Sequence, residues 1–333
     1  MKAWEVHPAG WTLVERDEPI PGPREVLVQV KAASLNYRDL IIARQSRGPL
    51  PKAILALSDG AGQVIGTGHE VTRLKVGQRV AACFFAQHWL EGAAPAGQRE
   101  ALGGGNTDGV LAERIALHED AFVTLPDDLT FEEASTLPCA GVTAWHAYYA
   151  SGHLKPGDVA LLQGTGGVSI FGLQFAKLAG ARAILTSRSD AKLQRARQLG
   201  ADDLVNYQVV PGWDERALAL TGGAGVDAVL EVGGRDTLAR SVRATRPGGF
   251  ISLIGGLTGF DRDPGLREAA LGKGVHMHDI YVGSRRDFED MNRAIAFHHL
   301  HPVVDRVFSF AQAREALAYL ESGLHFGKVV IRL

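Results

Sequence analysis

Val159-Ala160-Leu161-Leu162-Gln163-Gly164-Thr165-Gly166-Gly167-Val168-Ser169 runs from an apolar, strand-forming stretch straight into a glycine turn. Val168, Phe171, Phe175 and Leu178 then recur at helical spacing, so strand, turn and helix follow one another without a break. In that order each glycine has a task. Gly164 permits the tight turn, and Gly166 lets backbone approach a pyrophosphate, whose charge meets free amides and the positive end of the helix dipole. Gly164, Thr165, Gly166, Gly167 and Val168 are therefore candidate dinucleotide-binding residues. Ser169 stands where a third glycine is expected, a departure that a short side chain tolerates. A Gly-x-Gly triplet alone is weak. The strand before it, the helix after it and a second apolar strand, Ala183 to Thr186, about 20 residues on make it specific.

Outward from this turn the pattern continues toward the C-terminus. Apolar stretches Val226 to Leu230 and Phe250 to Ile254 read as strands covered on both faces, and Leu193, Ala196 and Leu199 mark a helix stopped by Gly200. Strands alternating with helices predict an α/β fold with a doubly wound parallel Rossmann sheet. Toward the N-terminus, from Met1 to about Leu125, short β-branched runs such as Val26 to Val30 are broken by Gly and Pro, which predicts a small β-rich domain. From about Arg285 the pattern is mixed again, with a helix from Ala311 to Ser322 capped by Gly323 and a last strand from Lys328 to Ile331. This tail is assigned back to the first domain. The expected organisation is a β-rich domain of residues 1–124 with 285–333, and a dinucleotide-binding domain of residues 125–284.

The 333 residues suffice for two cores, and a net charge of -2 with both signs interspersed gives no footprint for nucleic acid or an anionic membrane. Two cysteines, Cys83 and Cys139, are too few for a disulfide framework or a four-cysteine zinc site. The N-terminus carries no apolar signal core, and no run is long enough to span a membrane. A cytoplasmic protein without membrane or nucleic-acid partners is expected.

The end of the second strand selects the nucleotide. NAD enzymes usually place an acid there for the ribose diol, which would repel a 2′-phosphate. Here Ser187 is followed by Arg188 and, one turn on, Lys192, a hydroxyl and two cations suited to a phosphate dianion. NADP is preferred over NAD on this basis. The alternative is that both cations are solvated and Asp190 serves the ribose of NAD.

Several further motifs occur in one order: Ser34-Leu35-Asn36-Tyr37-Arg38-Asp39, Leu137-Pro138-Cys139-Ala140-Gly141-Val142-Thr143-Ala144-Trp145, the glycine turn, Gly222-Gly223-Ala224-Gly225-Val226-Asp227, and His325-Phe326-Gly327-Lys328-Val329-Val330. Together they resemble the medium-chain dehydrogenase/reductase superfamily, in its zinc-independent quinone-oxidoreductase-like and enone-reductase-like branch, essentially end to end. The resemblance implies a GroES-like catalytic domain, an inserted Rossmann domain and a substrate cleft between them. It also implies a homodimer joined near Val275 to Val282. Carried over by position, Ser187, Arg188, Lys192 and Tyr207 match residues that hold the adenosine phosphate. Lys328 matches a basic residue near the pyrophosphate, and Thr143 with the Gly255-Gly256 turn matches segments beside the nicotinamide.

Zinc-dependent relatives need three protein donors. Here Asn36 and Ser58 stand at the first two positions, ahead of Asp59, and only Cys139 matches a ligand, so no zinc is expected. Gly68-His69-Glu70 spells a zinc-type signature in the wrong register, and His69 reads as a surface residue. Without a Lewis acid, developing oxyanion charge must be met by hydrogen bonds. That favours hydride transfer to a quinone or an α,β-unsaturated carbonyl, a small-molecule substrate whose product anion is delocalised. Asn36 can donate to the carbonyl oxygen, Tyr37 can donate a phenolic proton, and Asp39 can orient them. The structural alternatives are an Asx turn for Asn36, core packing for Tyr37 and a helix cap for Asp39. Two other functions remain open from sequence: a metal-free alcohol or aldehyde oxidoreductase, and a non-catalytic dinucleotide-binding protein.

Overall fold

A computed structural model describes residues 1–7, 10–45, 48, 50, 52–86, 89–92, 101–105, 107–259 and 264–333. The chain divides into two units, Met1–Val142 with Gly283–Leu333, and Thr143–Val282. The first boundary therefore lies at 142/143 rather than at the expected 124/125, and the return is at 282/283. The reason is packing that composition does not announce. Ser34 Oγ donates to Ser135 O at 2.8 Å, Cys139 N–H to Asp59 Oδ2 at 3.0 Å, and Asn292 Nδ2 to Thr124 O at 2.9 Å. These bonds hold the segment after residue 124 to the first unit, well before the Rossmann strands begin.

The N-terminal part of the first unit is made of β1 (Lys2–His7), β2 (Gly10–Glu15), β3 (Glu25–Ser34), β4 (Ile54–Leu55), β5 (Asp59–Thr67), β6 (Arg79–Ala82), β7 (Arg114–His118) and β8 (Phe122–Thr124). Helix α1 (Tyr37–Ala43) follows β3, and α2 (Phe131–Ala134) follows β8. Along β3, Val26, Val28 and Val30 are buried and alternate with half-buried neighbours, as a strand with one fully covered face requires.

The second unit opens within α3 (Val142–Trp145) and continues with β9 (Val159–Gln163), α4 (Gly167–Leu178), β10 (Arg182–Ser187), α5 (Asp190–Gln198), β11 (Asp203–Asn206), α6 (Trp213–Leu220), β12 (Val226–Glu231), α7 (Arg235–Ala244), β13 (Thr245–Leu253), α8 (Pro264–Gly272) and β14 (His276–Asp279). The strands pair in parallel in the order β11-β10-β9-β12-β13-β14. The winding reverses between β9 and β12, and in open sheets of this kind a ligand lies beyond the carboxyl ends of the strands at the reversal. Four of the five β9 positions are buried, as are five of the six in β12. β13 starts five residues before the expected Phe250. A register shift lets Thr245 pair with Val226 ahead of the bonded run that begins at Phe250 and Ala228.

The chain then returns to the first unit with α9 (Arg285–His298), β15 (Val304–Ser309), α10 (Ala313–Ser322) and β16 (Lys328–Arg332). Gly323, at φ 65°, ends α10 in the left-handed conformation expected of it. The main sheet of this unit runs β15-β16-β3-β5-β6-β8, with β7 also on β3, and a smaller sheet runs β2-β1-β4. β16 is antiparallel to β3 and sets Val330 opposite Ser34.

The Gly-His-Glu triplet at residues 68–70 has a packing explanation. A Cβ on Gly68 would stand 2.0 Å from Gly22 O, so glycine is required by backbone contact, while the His69 side chain is 79% exposed. A second close contact lies in the Rossmann unit, where a Cβ on Gly172 would stand 2.4 Å from Leu230 Cδ1 and 2.8 Å from Leu162 Cδ2. Gly172 thus supplies a tight helix-to-sheet approach, three residues after Ser169, which stands at the position of the motif's third glycine. Gly172→Ala should lower the unfolding free energy by about 1–3 kcal/mol through overpacking, measurable by urea denaturation. An unchanged midpoint would mean that α4 does not sit this close to β9 and β12.

Candidate active site

In the first unit a group of polar side chains is buried where β3, β5 and β16 meet. Continuing the β16–β3 register sets Lys328 opposite Asn36, the residue that caps α1 in extended conformation at φ -128° and ψ 158°. Lys328 is 3% exposed, and its Nζ donates to Leu35 O at 2.6 Å and to Asn36 Oδ1 at 2.5 Å. Asp59 Oδ2 lies 3.9 Å from the same ammonium. Both Asp59 oxygens are engaged, Oδ1 by the Ser58 hydroxyl at 2.5 Å and Oδ2 by the Cys139 N–H at 3.0 Å. Burial pushes the Asp59 carboxyl up, and Lys328, the Ser58 hydroxyl, the Asn36 side-chain amide and the Cys139 N–H oppose that shift. Asp39 accepts the Asn36 backbone N–H at 2.7 Å and has Arg38 Nη1 at 3.7 Å. Burial raises its pKa to about 6, against the pull of Arg38 and the Asn36 N–H.

A lysine ammonium can only donate, so the oxygen end of Asn36 must face it. Asn36 Nδ2 is left buried with no hydrogen-bond partner among the described residues. The Asn36 side chain stands close enough to Asp59 to help hold its carboxyl down, yet no bond of ordinary hydrogen-bond geometry forms, and an orphaned buried amide proton costs about 1–3 kcal/mol. Of the three candidate catalytic residues, the structure brings Asn36 and Asp39 together through the main chain. Asp39 acts on the Asn36 backbone as one arm of a helix cap. Tyr37, at the first position of α1, is 45% exposed. Lys328, which the family resemblance associates with pyrophosphate, has its ammonium among these residues. In the sequence Ser58 stands at a zinc-ligand position with Asp59 behind it, and nothing there signals their part in this group.

In the second unit Gly164 has φ 74° and Gly166 caps α4 at φ -78° and ψ -179°. A Cβ added at either would meet nothing within 4 Å, so the turn faces open space, as close approach of a ligand to the backbone requires. The first turn of α4 leaves amides without helical acceptors, and Gly167 and Val168 are in it. Ser169 is buried and its Oγ donates to Gln163 O at 2.6 Å, which pins the turn from behind. Ser187 ends β10 beside Asn206 of β11, and the Tyr207 N–H donates to Ser187 O at 3.1 Å. Ser189 caps α5, whose first turn carries Lys192, and Arg188 is exposed between Ser187 and Ser189. Ser187, Arg188, Lys192 and Tyr207 therefore cluster at the ends of β10 and β11. Asp190 Oδ1, the alternative ribose partner, accepts from Asn206 Nδ2 at 2.8 Å.

Across the reversal of the sheet, Gln163 and Glu231 lock the ends of β9 and β12 together. Gln163 Nε2 donates to Glu231 Oε2 at 2.7 Å and to Ser241 Oγ at 2.8 Å, and the Ser241 hydroxyl donates to the same carboxylate. Glu231 Oε1 accepts from Gly233 N–H and Gly234 N–H at 2.9 Å each, and from Thr237 Oγ1 at 2.5 Å. The loop so held packs on the next one. A Cβ on Gly255 would stand 2.5 Å from Val232 O, and one on Gly234 would stand 2.8 Å from Gly256 Cα. Gly255 and Gly234 thus need glycine because the two loops touch backbone to backbone. Thr143, the other candidate beside the nicotinamide, is buried in α3.

Residues 22–127 match the family described as alcohol dehydrogenase GroES-like domain, and residues 167–297 match the one described as zinc-binding dehydrogenase. A zinc-type alcohol dehydrogenase-like protein of Schizosaccharomyces pombe, C1773.06c, is 42% identical over 317 residues, covering 93% of this chain and 91% of the relative. The chain belongs to the medium-chain dehydrogenase/reductase superfamily. A quinone oxidoreductase of Pseudomonas aeruginosa is 34% identical over 241 residues, 72% of this chain and 67% of that protein. A crystal structure from Sinorhizobium meliloti 1021 superposes with a TM-score of 0.92 at 42% identity, covering 100% of this chain and 98% of the other. This medium-chain dehydrogenase/reductase is accordingly an NAD(P)-dependent oxidoreductase, which sets aside a purely non-catalytic role. No helix among the described residues is long and apolar enough to cross a membrane.

The residues at the zinc positions do not fit the metal. Both oxygens of Asp59 already accept hydrogen bonds, an ammonium stands 3.9 Å from it, and burial pushes the Cys139 thiol up so that it stays protonated. A thiolate is the form that binds zinc. No group of three His, Cys, Asp or Glu among the described residues could hold a metal ion.

Asp39 makes a pH-dependent contribution whose sign is fixed by its raised pKa. Between the unfolded value of 3.8 and the folded value of about 6 the folded form binds the extra proton, so this group's contribution to stability falls as pH rises through that window. Asp39→Asn keeps an acceptor for the Asn36 N–H and removes the titration. Relative to wild type, its unfolding free energy should gain on the order of 2–3 kcal/mol between about pH 4 and about pH 8. Parallel curves for the two proteins in urea would contradict the raised pKa.

Proposed function

We propose that this oxidoreductase uses NADPH, works without zinc and reduces a quinone or an α,β-unsaturated carbonyl. The observation that carries the reading is the buried Asn36 Nδ2, which has no partner of ordinary hydrogen-bond geometry among the described residues and is fixed in direction by Lys328. A reduced nicotinamide supplies a hydride when bound. Addition of hydride to the β-carbon of an enone, or to a quinone, places negative charge on oxygen, and a donor preset in a dry pocket stabilises that charge without reorganising. Asn36 Nδ2 is such a donor. Tyr37, exposed at the start of α1, offers a phenolic proton to the product anion, while Asp39 holds the Asn36 main chain. The alkoxide formed from a saturated carbonyl is more basic and asks for a stronger electrophile than an amide. NADPH is preferred because Ser187, Arg188, Lys192 and Tyr207 gather at the ends of β10 and β11, while Asp190 is engaged by Asn206. The open edge of β14 suits pairing with a second copy, which would make the molecule a homodimer.

Nucleotide oxidation followed by absorbance against a panel of quinones, enones, enoyl thioesters and aldehydes tests the substrate class. Turnover is expected on the first three. Reduction of NADP by saturated alcohols, with no activity on quinones or enones, would establish an alcohol or aldehyde oxidoreductase instead. Asn36→Ala should lower kcat about 100-fold, the usual cost of losing an oxyanion donor, with NADPH affinity unchanged. Undiminished turnover would remove Asn36 from catalysis.

Exchanging Ser187-Arg188 for Asp-Ala should shift the NADPH to NADH preference by more than about tenfold, or about 1.4 kcal/mol. A preference for NADH in the unaltered protein, or an unchanged ratio in the variant, would return the ribose to Asp190.

A further inference from the structure

Lys328 is unusual for its position. Its neighbours Val329, Val330 and Ile331 on β16 are fully buried apolar residues, and an apolar side chain at 328 would continue that pattern. A buried ammonium is tolerated only when its charge and its donors are matched. Here both matches are made around the Asn36 amide. The Leu35 carbonyl and Asn36 Oδ1 accept from Nζ, Asp59 supplies the countercharge at 3.9 Å, and Ser58 and the Cys139 N–H hold Asp59 in place.

We propose that Lys328, held by Asp59, is a positioning residue for the reduction. It fixes which end of the Asn36 amide faces the reacting oxygen, and by bonding Oδ1 it polarises the amide so that Nδ2 donates more strongly to a developing oxyanion. The inference rests on reading Asn36 as the oxyanion donor. It gives Lys328 a task within its own unit, distinct from a contact to pyrophosphate. Without the ammonium, Asn36 could present either oxygen or nitrogen, and an oxygen facing a developing anion would repel it. Asp59 acts on the ammonium through charge at 3.9 Å, and the ammonium acts on Asn36 through a hydrogen bond, which a low-dielectric setting strengthens.

The test begins without substrate. In protein labelled with nitrogen-15, the side-chain amide signals of Asn36, assigned by their loss in N36D, should shift in Lys328→Met, and unchanged signals would overturn the proposal. Because K328M leaves Asp59 without a countercharge and can fail to fold, K328M with Asp59→Asn is made alongside it. The kinetic arm uses 1,4-benzoquinone and 2-cyclohexenone as probes. K328M should lower kcat about tenfold, a fraction of what loss of the donor itself costs, with the Kd for NADPH unchanged. In an N36A background the same substitution should change kcat less than about twofold, because interacting residues are not additive. An equal loss in both backgrounds would make Lys328 independent of Asn36 and overturn the proposal. So would a loss of NADPH affinity with kcat intact, which would mark a pyrophosphate contact. A fully active N36A would sink the donor reading itself, whereas a slow N36A beside a fully active K328M would sink only the role of Lys328.

Discussion

The antiparallel pairing of β16 with β3 is the constraint on which the first unit depends. It joins residues 330–332 to residues 32–34, almost the whole chain apart in sequence, and so closes the sheet around a strand that also bonds β5 and β7. Every polar side chain of the candidate site hangs from this arrangement. Asn36 lies just beyond the end of β3, Asp59 begins β5 directly opposite Ser34, and Lys328 begins β16. Register alone brings the three together. A one-residue slip of β16 would turn the ammonium to the opposite face of the sheet and leave Asp59 buried without its countercharge. The apolar core formed by Val28, Val30, Val329 and Ile331 makes such a slip costly, so packing of ordinary aliphatic residues is what holds the polar group in place.

Two buried carboxylates, Glu231 and Asp39, are held in different ways, and the difference separates scaffold from chemistry. Glu231 is met by five donors from Gln163, Ser241, Thr237 and two backbone amides, so its lone pairs are satisfied by neutral groups from the end of β9, the loop after β12 and helix α7. Such a network has one arrangement and fixes the loops at the sheet reversal. Asp39 has few donors and a guanidinium at 3.7 Å, and its pKa is raised to about 6. The first unit thus keeps a carboxyl that changes charge near neutral pH beside an amide whose donor is unpaired. Groups in that condition are found where bonds are remade, because a fully satisfied network has nothing to offer a substrate.

Much of this was legible in the sequence, and the parts that were not have physical reasons. The glycine turn and its flanking strand and helix are local, so residues 159–178 sufficed to place them. Asn36 and Asp39 were legible as a pair because three residues separate them at a helix start. The partner of Lys328 was not, since it depends on a strand register nearly three hundred residues wide. The motif expects its third glycine at Ser169, yet the close helix-to-sheet contact falls at Gly172, one helical turn on, where Leu162 and Leu230 crowd the helix. Ser169 instead spends its hydroxyl on Gln163 O. The unit boundary moved because residues 125–142 carry no compositional signal and are held by individual hydrogen bonds. His69 was read correctly as a surface residue from register, and the glycine before it has a steric role that only the backbone contact with Gly22 reveals.

Whether the Lys328–Asp59 pair exists to stabilise the fold can be decided by magnitude. At 3.9 Å and an effective dielectric near 20 the attraction is about 4 kcal/mol, while removing each ion from water costs several kcal/mol even after relaxation. The two sides are comparable, and a well-packed aliphatic pair of the same volume would do as well or better for stability. The pair therefore explains little about why the unit stays folded. What it does uniquely is direct the Asn36 amide, because no aliphatic residue can distinguish its oxygen from its nitrogen. The same positions in a zinc enzyme would collect thiolate and imidazole around a cation. Here the cation is covalently part of β16, it is too well matched by Leu35, Asn36 and Asp59 to bind a substrate oxygen itself, and its influence on chemistry has to pass through the amide it holds.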